Sequence, residues 1–273
     1  MNRKTASVGA SLLAILCLLA VSLACQVNPV TGKKELMLLT TADEVAIGKN
    51  VNAELLKEYK ASDDPRENAR VQRLGVKLAA VSDRQDISYS FGVVATKDIN
   101  AFAAPGGYVY ATTGLVESAS EDELACVIGH EVGHVAGRHL LKTMQAALGA
   151  QIILILIDSK SRREDLVIAS QVVVGLMMKG YSRQHEYEAD ILGARYAWRA
   201  GYNPRGLVSF FRKIEVVRDG QTRPPEFLST HPDTDKRISA VEAVIRTEMT
   251  NPDGTLKRPP APERTSDQNV PRS

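Results

Sequence analysis

The chain has 273 residues, 44% hydrophobic, 24% charged and 5% aromatic, with 34 basic residues against 32 acidic ones. Those proportions are ordinary for a globular protein and exclude a collagen-like, a wholly disordered or a multi-span membrane chain. A formal net charge of +2 gives no basis for nucleic-acid binding, which calls for a clear basic excess, and the length suggests one large domain with appendages.

Residues 1–24 read as a signal peptide. Arg3 and Lys4 precede an almost wholly apolar run from Leu12 to Ala24, the pattern of a secretory signal and too short for the about 20 apolar residues of a membrane span. The run ends Ser22-Leu23-Ala24-Cys25. A small residue directly before a cysteine resembles a bacterial lipoprotein signal, which implies a lipid on Cys25, although Ser22 stands where that pattern favours an aliphatic residue. An ordinary cleaved signal or a retained anchor is the alternative. Both excess cations lie in this segment, so the remaining 32 basic and 32 acidic residues balance. Membrane attachment would then rest on the lipid and not on charge.

Residues 25–40, with Asn28-Pro-Val-Thr-Gly-Lys-Lys34, read as a lipidated tether. Thr41-Ala-Asp-Glu44 is a capping box opening a helix to about Lys60, and Ser62-Asp-Asp-Pro65 starts a second to about Val81. Residues 87–94, 99–104 and 108–112 read as strands. Pro105-Gly106-Gly107 joins the last two in a type II turn, where glycine accepts positive φ. Ser120-Glu-Asp-Glu123 is a second capping box, opening a helix from Leu124 to about Met144. Cys126 falls inside it as a buried, inert thiol. Two apolar pieces, 151–157 and 166–178, are too short to span a bilayer; they read as covered helices, or as surfaces lying on a membrane or a substrate. A helix from Ser182 to Ala200 stops at Gly201, and Asn203-Pro204 caps another to about Arg218. A loop covers 220–231, a last helix runs from about Pro232 to Met249, and a Pro-rich, charged tail over 250–273 reads as disordered. The domain is thus 41–249, predominantly helical α+β, with a small antiparallel sheet.

His130-Glu131-Val132-Gly133-His134 carries the chemistry. Residues four apart on a helix share a face about one turn apart, so two imidazoles can grip one metal ion while Glu131 reaches a water beside it. Cys126, Val127, Ile128, Val132 and Val135 would bury this helix, and buried His and Glu need partners that a metal supplies. Catalytic zinc needs a third protein ligand. Downstream, Tyr181-Ser-Arg-Gln-His-Glu-Tyr-Glu-Ala-Asp190 offers Glu186, Glu188, Asp190 and His185. Glu186 and Asp190 are one turn apart, so one could bind the metal while the other receives an N–H from a ligating histidine. Glu188 would lie on another face as a solvated charge, and His185 is the rival ligand.

Together with Asn28-Pro-Val-Thr-Gly-Lys-Lys-Glu-Leu-Met37, Asn100-Ala-Phe-Ala-Ala-Pro-Gly-Gly-Tyr108, Ser182-Arg-x-x-Glu186-x-Glu-Ala-Asp190 and Thr230-His231-Pro232 with Arg237-Ile238, these residues resemble the zinc peptidase family of the HtpX and CAAX prenyl proteases. The likeness spans about residues 26–248 and is strongest to the periplasmic lipoprotein branch. It implies a gluzincin core, one Zn2+ held by His130, His134 and Glu186, and Asp190 behind a histidine. Glu131 would then be the general base. His231 is the first candidate for a second oxyanion donor, with Arg237 and Tyr181 behind it; His231 could instead occupy the open metal position, or merely start a helix. Asn100, Ala101 and Phe102 would form the edge strand that receives an extended peptide, or a simple packed hairpin. The expected function is a metalloendopeptidase of unfolded or misfolded envelope proteins, in the periplasm and lipid-anchored to the outer membrane, with no nucleic-acid partner. The alternatives are a non-proteolytic chaperone or assembly lipoprotein that keeps the zinc site, and a metallohydrolase of non-peptide substrates.

Overall fold

The computed structural model describes residues 25–158, 171–177, 179–219, 225–232 and 234–260; the signal expected over 1–24 lies outside them. Side-chain caps set the helix starts. Helix α1 (Thr41–Glu58) is capped by Thr40, one residue earlier than expected: Asp43 N–H donates to Thr40 Oγ1, and Thr40 N–H donates to the Asp43 carboxylate. Helix α2 (Pro65–Ala80) begins at Asp64, whose side chain accepts the Arg66 N–H. A short α3 (Thr113–Ser118) precedes α4 (Glu121–Ala136), which opens on the expected Ser120–Glu123 capping box.

The helix expected over 124–144 is two helices. α4 ends at Ala136 and α5 (His139–Asp158) starts after a sharp turn at Gly137-Arg138, where Arg138 takes a left-handed φ of +53°. Helix α6 (Arg183–Arg199) is capped by Ser182. It is followed by α7 (Gly206–Asp219), a one-turn α8 (Glu226–Thr230) inside the stretch expected to be loop, and α9 (Thr234–Glu248).

Strands β1 (Cys25–Val27) and β2 (Lys34–Leu36) form an antiparallel hairpin within the expected tether. Gln26 explains it: its side-chain amide donates to the Met37 and Leu39 carbonyls at 3.1 Å each and accepts from Arg138. The main sheet contains β3 (Ser90–Val94), β4 (Ala101–Ala104) and β5 (Tyr108–Thr112) in the order β3-β5-β4. It is mixed, not wholly antiparallel, because β3 runs parallel to β5. The turn at Pro105-Gly106, with Gly106 at φ +75°, folds β5 back beside β4, and the more deeply buried β5 takes the centre. That leaves β4 at the outer edge. Of the tail expected to be disordered, residues 250–260 are ordered, and 261–273 lie outside the described residues: Trp198 Nε1 donates to Lys257 O at 3.0 Å, and Lys257 N–H donates to Met249 O at 2.8 Å.

Two apolar clusters form the interior. The larger joins α2, the main sheet, α4, α6 and α7, with Phe227, Val241 and Ile245. The smaller joins Met37 and Leu39, α1 residues Ile47, Val51 and Leu55, α5 residues Leu140, Leu141 and Met144, and Val173 and Met177 from the helical residues 171–177. The second apolar piece thus turns side chains inward. No helix of the described residues is long and apolar enough to cross a membrane. Cys126 is fully buried, and burial pushes its thiol pKa up.

The α4–α6 crossing is what positions the site. It is close because glycines line it: a Cβ on Gly193 would lie 2.7 Å from His130 N, and one on Gly133 would lie 3.1 Å from Ala189 O. This approach lays the acidic face of α6 against the histidine face of α4.

Candidate metal centre

His130 and His134, one turn apart on α4, turn Nε2 atoms toward each other at 3.0 Å. From α6, Glu186 brings Oε1 to 3.4 Å from His134 Nε2 and Oε2 to 3.7 Å from His130 Nε2. His231, at the C-terminus of α8, places Nδ1 3.3 Å from His130 Nε2 and 2.9 Å from Glu186 Oε2. All four side chains are buried, and their ligating atoms lie within 4.8 Å of one another. A tetrahedron of N and O ligands at zinc bond lengths has edges of about 3.3 Å, so the group has the size of one such ion. Glu131 faces it with both carboxylate oxygens buried and without a hydrogen-bond partner, an arrangement that costs free energy unless something else enters the site. The donor set therefore fits a divalent metal.

The electrostatics agree. Burial pushes His134 well below the ordinary imidazole range, which leaves it neutral with a lone pair to offer. Burial alone would raise Glu186, but His231 and His134 outweigh it and hold the carboxyl well below its usual value. Burial would lower His231, but the Glu186 carboxylate outweighs it and raises it. Glu131 is raised by burial, a shift toward the range of a general base.

Behind the group, His130 Nδ1 lies 2.9 Å from Asp190 Oδ1, the placement expected of a carboxylate that orients a ligating ring. Arg237 does not offer a free donor to an oxyanion. Its Nε and Nη2 donate to the two Asp190 oxygens at 2.6 and 2.7 Å, and Nη1 donates to His231 O at 2.7 Å and lies 3.1 Å from Glu186 Oε2. Arg237 thus clamps Asp190 and the chain at His231. Tyr181 stacks on His134 with ring centroids 4.0 Å apart and borders the same cleft as Glu131; burial raises its phenol, so it stays a donor.

Two of the α6 residues lie elsewhere than expected. His185 is outside the group and stacks on His139 at 4.4 Å. Glu188 is not a solvated charge: its side chain is 23% exposed and Oε2 lies 3.5 Å from His139 Nε2, because the turn after α4 brings the His139 ring, at the start of α5, against it. His139 itself, fully buried with Nδ1 3.0 Å from His134 Nδ1, was missed at the sequence level. The only available signal was a further histidine five residues past the motif.

The cleft beside Glu131 has a volume of about 420 Å³ including its open mouth. Asn100, Ala101 and Phe102 line it, together with Leu55, Tyr59 and Met177. Edge strand β4 and the Glu131 carboxylate thus share one cleft.

A buried His-Glu-x-x-His helix crossed by a glutamate-bearing helix defines a metallopeptidase. The match to known proteins agrees: residues 65–245 fit the model of peptidase family M48, and the chain belongs to that family. It is 28% identical to the beta-barrel assembly-enhancing protease of Escherichia coli K12 over 215 residues, 74% of this chain and 43% of that protein. It is 30% identical to the metalloprotease LoiP of the same organism over 190 residues, 67% of this chain and 74% of that one. It is also 28% identical to the mitochondrial metalloendopeptidase OMA1 of Bos taurus over 240 residues, 81% of this chain and 46% of that one. The chain spans less than half the length of the first and last of these relatives.

Proposed function

We propose that this metallopeptidase is a zinc endopeptidase that cleaves unfolded or misfolded proteins of the bacterial envelope, held at the membrane by a lipid on Cys25. The observation that carries the zinc reading is the convergence of four buried ligating atoms on one point beside the Glu131 carboxylate, whose buried oxygens have no hydrogen-bond partner. His130, His134 and Glu186 would hold the ion. Zinc, when bound, supplies Lewis acidity toward the scissile carbonyl and toward water.

The remaining steps belong to the protein. Glu131 takes the proton of the attacking water and passes it to the leaving amine. Tyr181, the protonated donor over the cleft, hydrogen-bonds the oxygen that gains charge at the scissile carbonyl. His231 completes the four-membered group at rest. Substrate lies along Asn100, Ala101 and Phe102 as an added strand. Main-chain pairing of that kind reads little sequence, which suits unfolded chains, and the apolar wall at Leu55 and Met177 suits a large apolar side chain next to the cut bond. The name of one relative, a beta-barrel assembly-enhancing protease, supports a place in the envelope.

The test is cleavage of a denatured protein by wild type and by Glu131→Gln, with metal content measured by mass spectrometry. One zinc per chain is expected in both, with cleavage abolished by chelator and lowered at least about 100-fold in the variant. Equal cleavage by the variant would sink the role of Glu131. Zinc without cleavage in wild type would favour a chaperone or assembly lipoprotein.

A further inference from the structure

The His139–Glu188 pair lies outside the four-membered group, and several features of the fold exist to place it. After Ala136 the chain makes one tight turn, with Gly137 N–H donating to Gly133 O and Arg138 N–H to Val135 O. Arg138 then adopts φ +53°, which a side chain other than glycine holds only when its surroundings over-determine it. Here they do: its guanidinium donates to Gln26 Oε1 and to Thr41 Oγ1, tying the turn to the N-terminal hairpin and to α1. A Cβ on Gly137 would lie 2.3 Å from His139 Nε2, so only glycine leaves room for the ring. The outcome is a fully buried imidazole whose Nδ1 meets His134 Nδ1 at 3.0 Å, while its other nitrogen faces Glu188 Oε2 at 3.5 Å.

We infer that His139 is the positioning residue of His134, accepting the His134 Nδ1–H on its own Nδ1 and turning its Nε2–H toward Glu188. This rests on the zinc reading above. A His134 that gives its Nε2 lone pair to a metal must carry its proton on Nδ1, and that proton points at His139. A neutral His139 can accept it only as the Nε2–H tautomer, which is the tautomer a carboxylate at Nε2 favours. The two ligating histidines of α4 are therefore oriented by different chemistry: His130 by the Asp190 carboxylate, His134 by a neutral imidazole with a carboxylate behind it. The parallel stacking of His185 on His139 fixes the plane of that imidazole. Partners of this kind set the tautomer and direction of a ligating ring.

The test uses the full chain. Zinc affinity is measured by chelator competition, alongside the visible spectrum of the cobalt-loaded protein and the melting temperature of the metal-free form. His139→Leu, which has no acceptor, is expected to weaken zinc binding about 10- to 100-fold and to alter the cobalt spectrum. His139→Asn, whose Oδ1 falls where Nδ1 was, is expected to recover most of the affinity. Wild-type affinity in His139→Leu overturns the inference, as do equal losses in the two variants. Wild type that binds no zinc removes the metal reading and this inference with it, an outcome distinct from either. Should His139→Leu not fold, ¹⁵N-histidine NMR of zinc-loaded wild type decides. A coupling between the two Nδ1 nuclei across the hydrogen bond, with His139 as the Nε2–H tautomer, is expected; an Nδ1–H tautomer of His139 overturns it.

Discussion

The larger and smaller apolar clusters meet along β4, and they hold different things. Strand alternation divides β4 between them: Ala101 and Ala103 face the larger cluster, Phe102 and Ala104 the smaller. The larger cluster surrounds α4, α6 and α8, which bear the four ligating residues and Asp190. The smaller one lines the cleft through Leu55 and Met177 and meets the ligand group through Tyr181, which packs against it and stacks on His134. Damage to the first should appear in metal binding and stability together, and truncation of the cleft-lining Leu55 of the second in substrate binding with the metal intact.

The largest effect is expected at Arg237, buried against the first cluster with its guanidinium 4.7 Å over the Phe211 ring. Arg237→Ala would strand the buried Asp190 and Glu186 carboxylates and release the chain at His231. Removing one partner of a buried ion pair costs about 3–5 kcal/mol, to be read from urea denaturation, and zinc binding should fall with it. Arg237→Lys, which keeps the charge but not the two-pronged bond, should lie between. An alanine variant as stable as wild type would dissolve the distinction between the two clusters.

On the other side of the seam, Leu55 is 3% exposed and borders the cleft. Leu55→Ala is expected to cost about 2 kcal/mol, the low end for a leucine truncation, because its cavity opens into existing space. KM for peptides with a large apolar side chain at the cut bond should rise several-fold while zinc affinity stays constant. A fall in zinc affinity would mean that the smaller cluster also supports the ligands.

How much of this could be read from the residues follows the range of the interactions. The His-Glu-x-x-His face, the Ser120–Glu123 cap and the Glu186/Asp190 spacing are properties of single helices, and each was legible. Arg237 and His231 came forward only through family resemblance, because their partners are on other elements. The pairing of His139 with Glu188 was illegible for a physical reason: it depends on the turn in which Arg138 takes a positive φ, a conformation no local preference of arginine favours. The hairpin over 25–36 was hidden in the same way. Its ties run from Gln26 to Arg138 and from Leu38 to Gln145, across more than a hundred residues, while its own composition is polar and turn-rich. The mixed sheet depended on which strand takes the centre, and the period of the strands alone does not say.

The smallest effect concerns the start of α4 and sharpens the comparison from the side of the larger cluster. Glu123 closes the capping box: its Oε2 accepts the Ser120 N–H at 2.8 Å and the Lys213 ammonium, and its Oε1 accepts the Ser209 hydroxyl at 2.6 Å. Burial alone would raise this carboxyl, but Lys213, Ser209 and Ser120 outweigh it and hold it below its ordinary 4.5. A carboxyl lowered on folding contributes stability that is complete above its unfolded pKa and lost as pH falls through the folded one. Glu123→Gln should therefore cost about 1 kcal/mol at pH 7 and progressively less below pH 4.5, where wild type loses the same contribution. The two denaturation midpoints should converge as acid is added. A gap that stays constant from pH 7 down to the acid limb would show that Glu123 acts through packing and not through its charge. Because α4 carries His130 and His134 two and three turns further on, zinc affinity at pH 7 should be unchanged by this variant, which separates fraying of the helix start from loss of the site it supports.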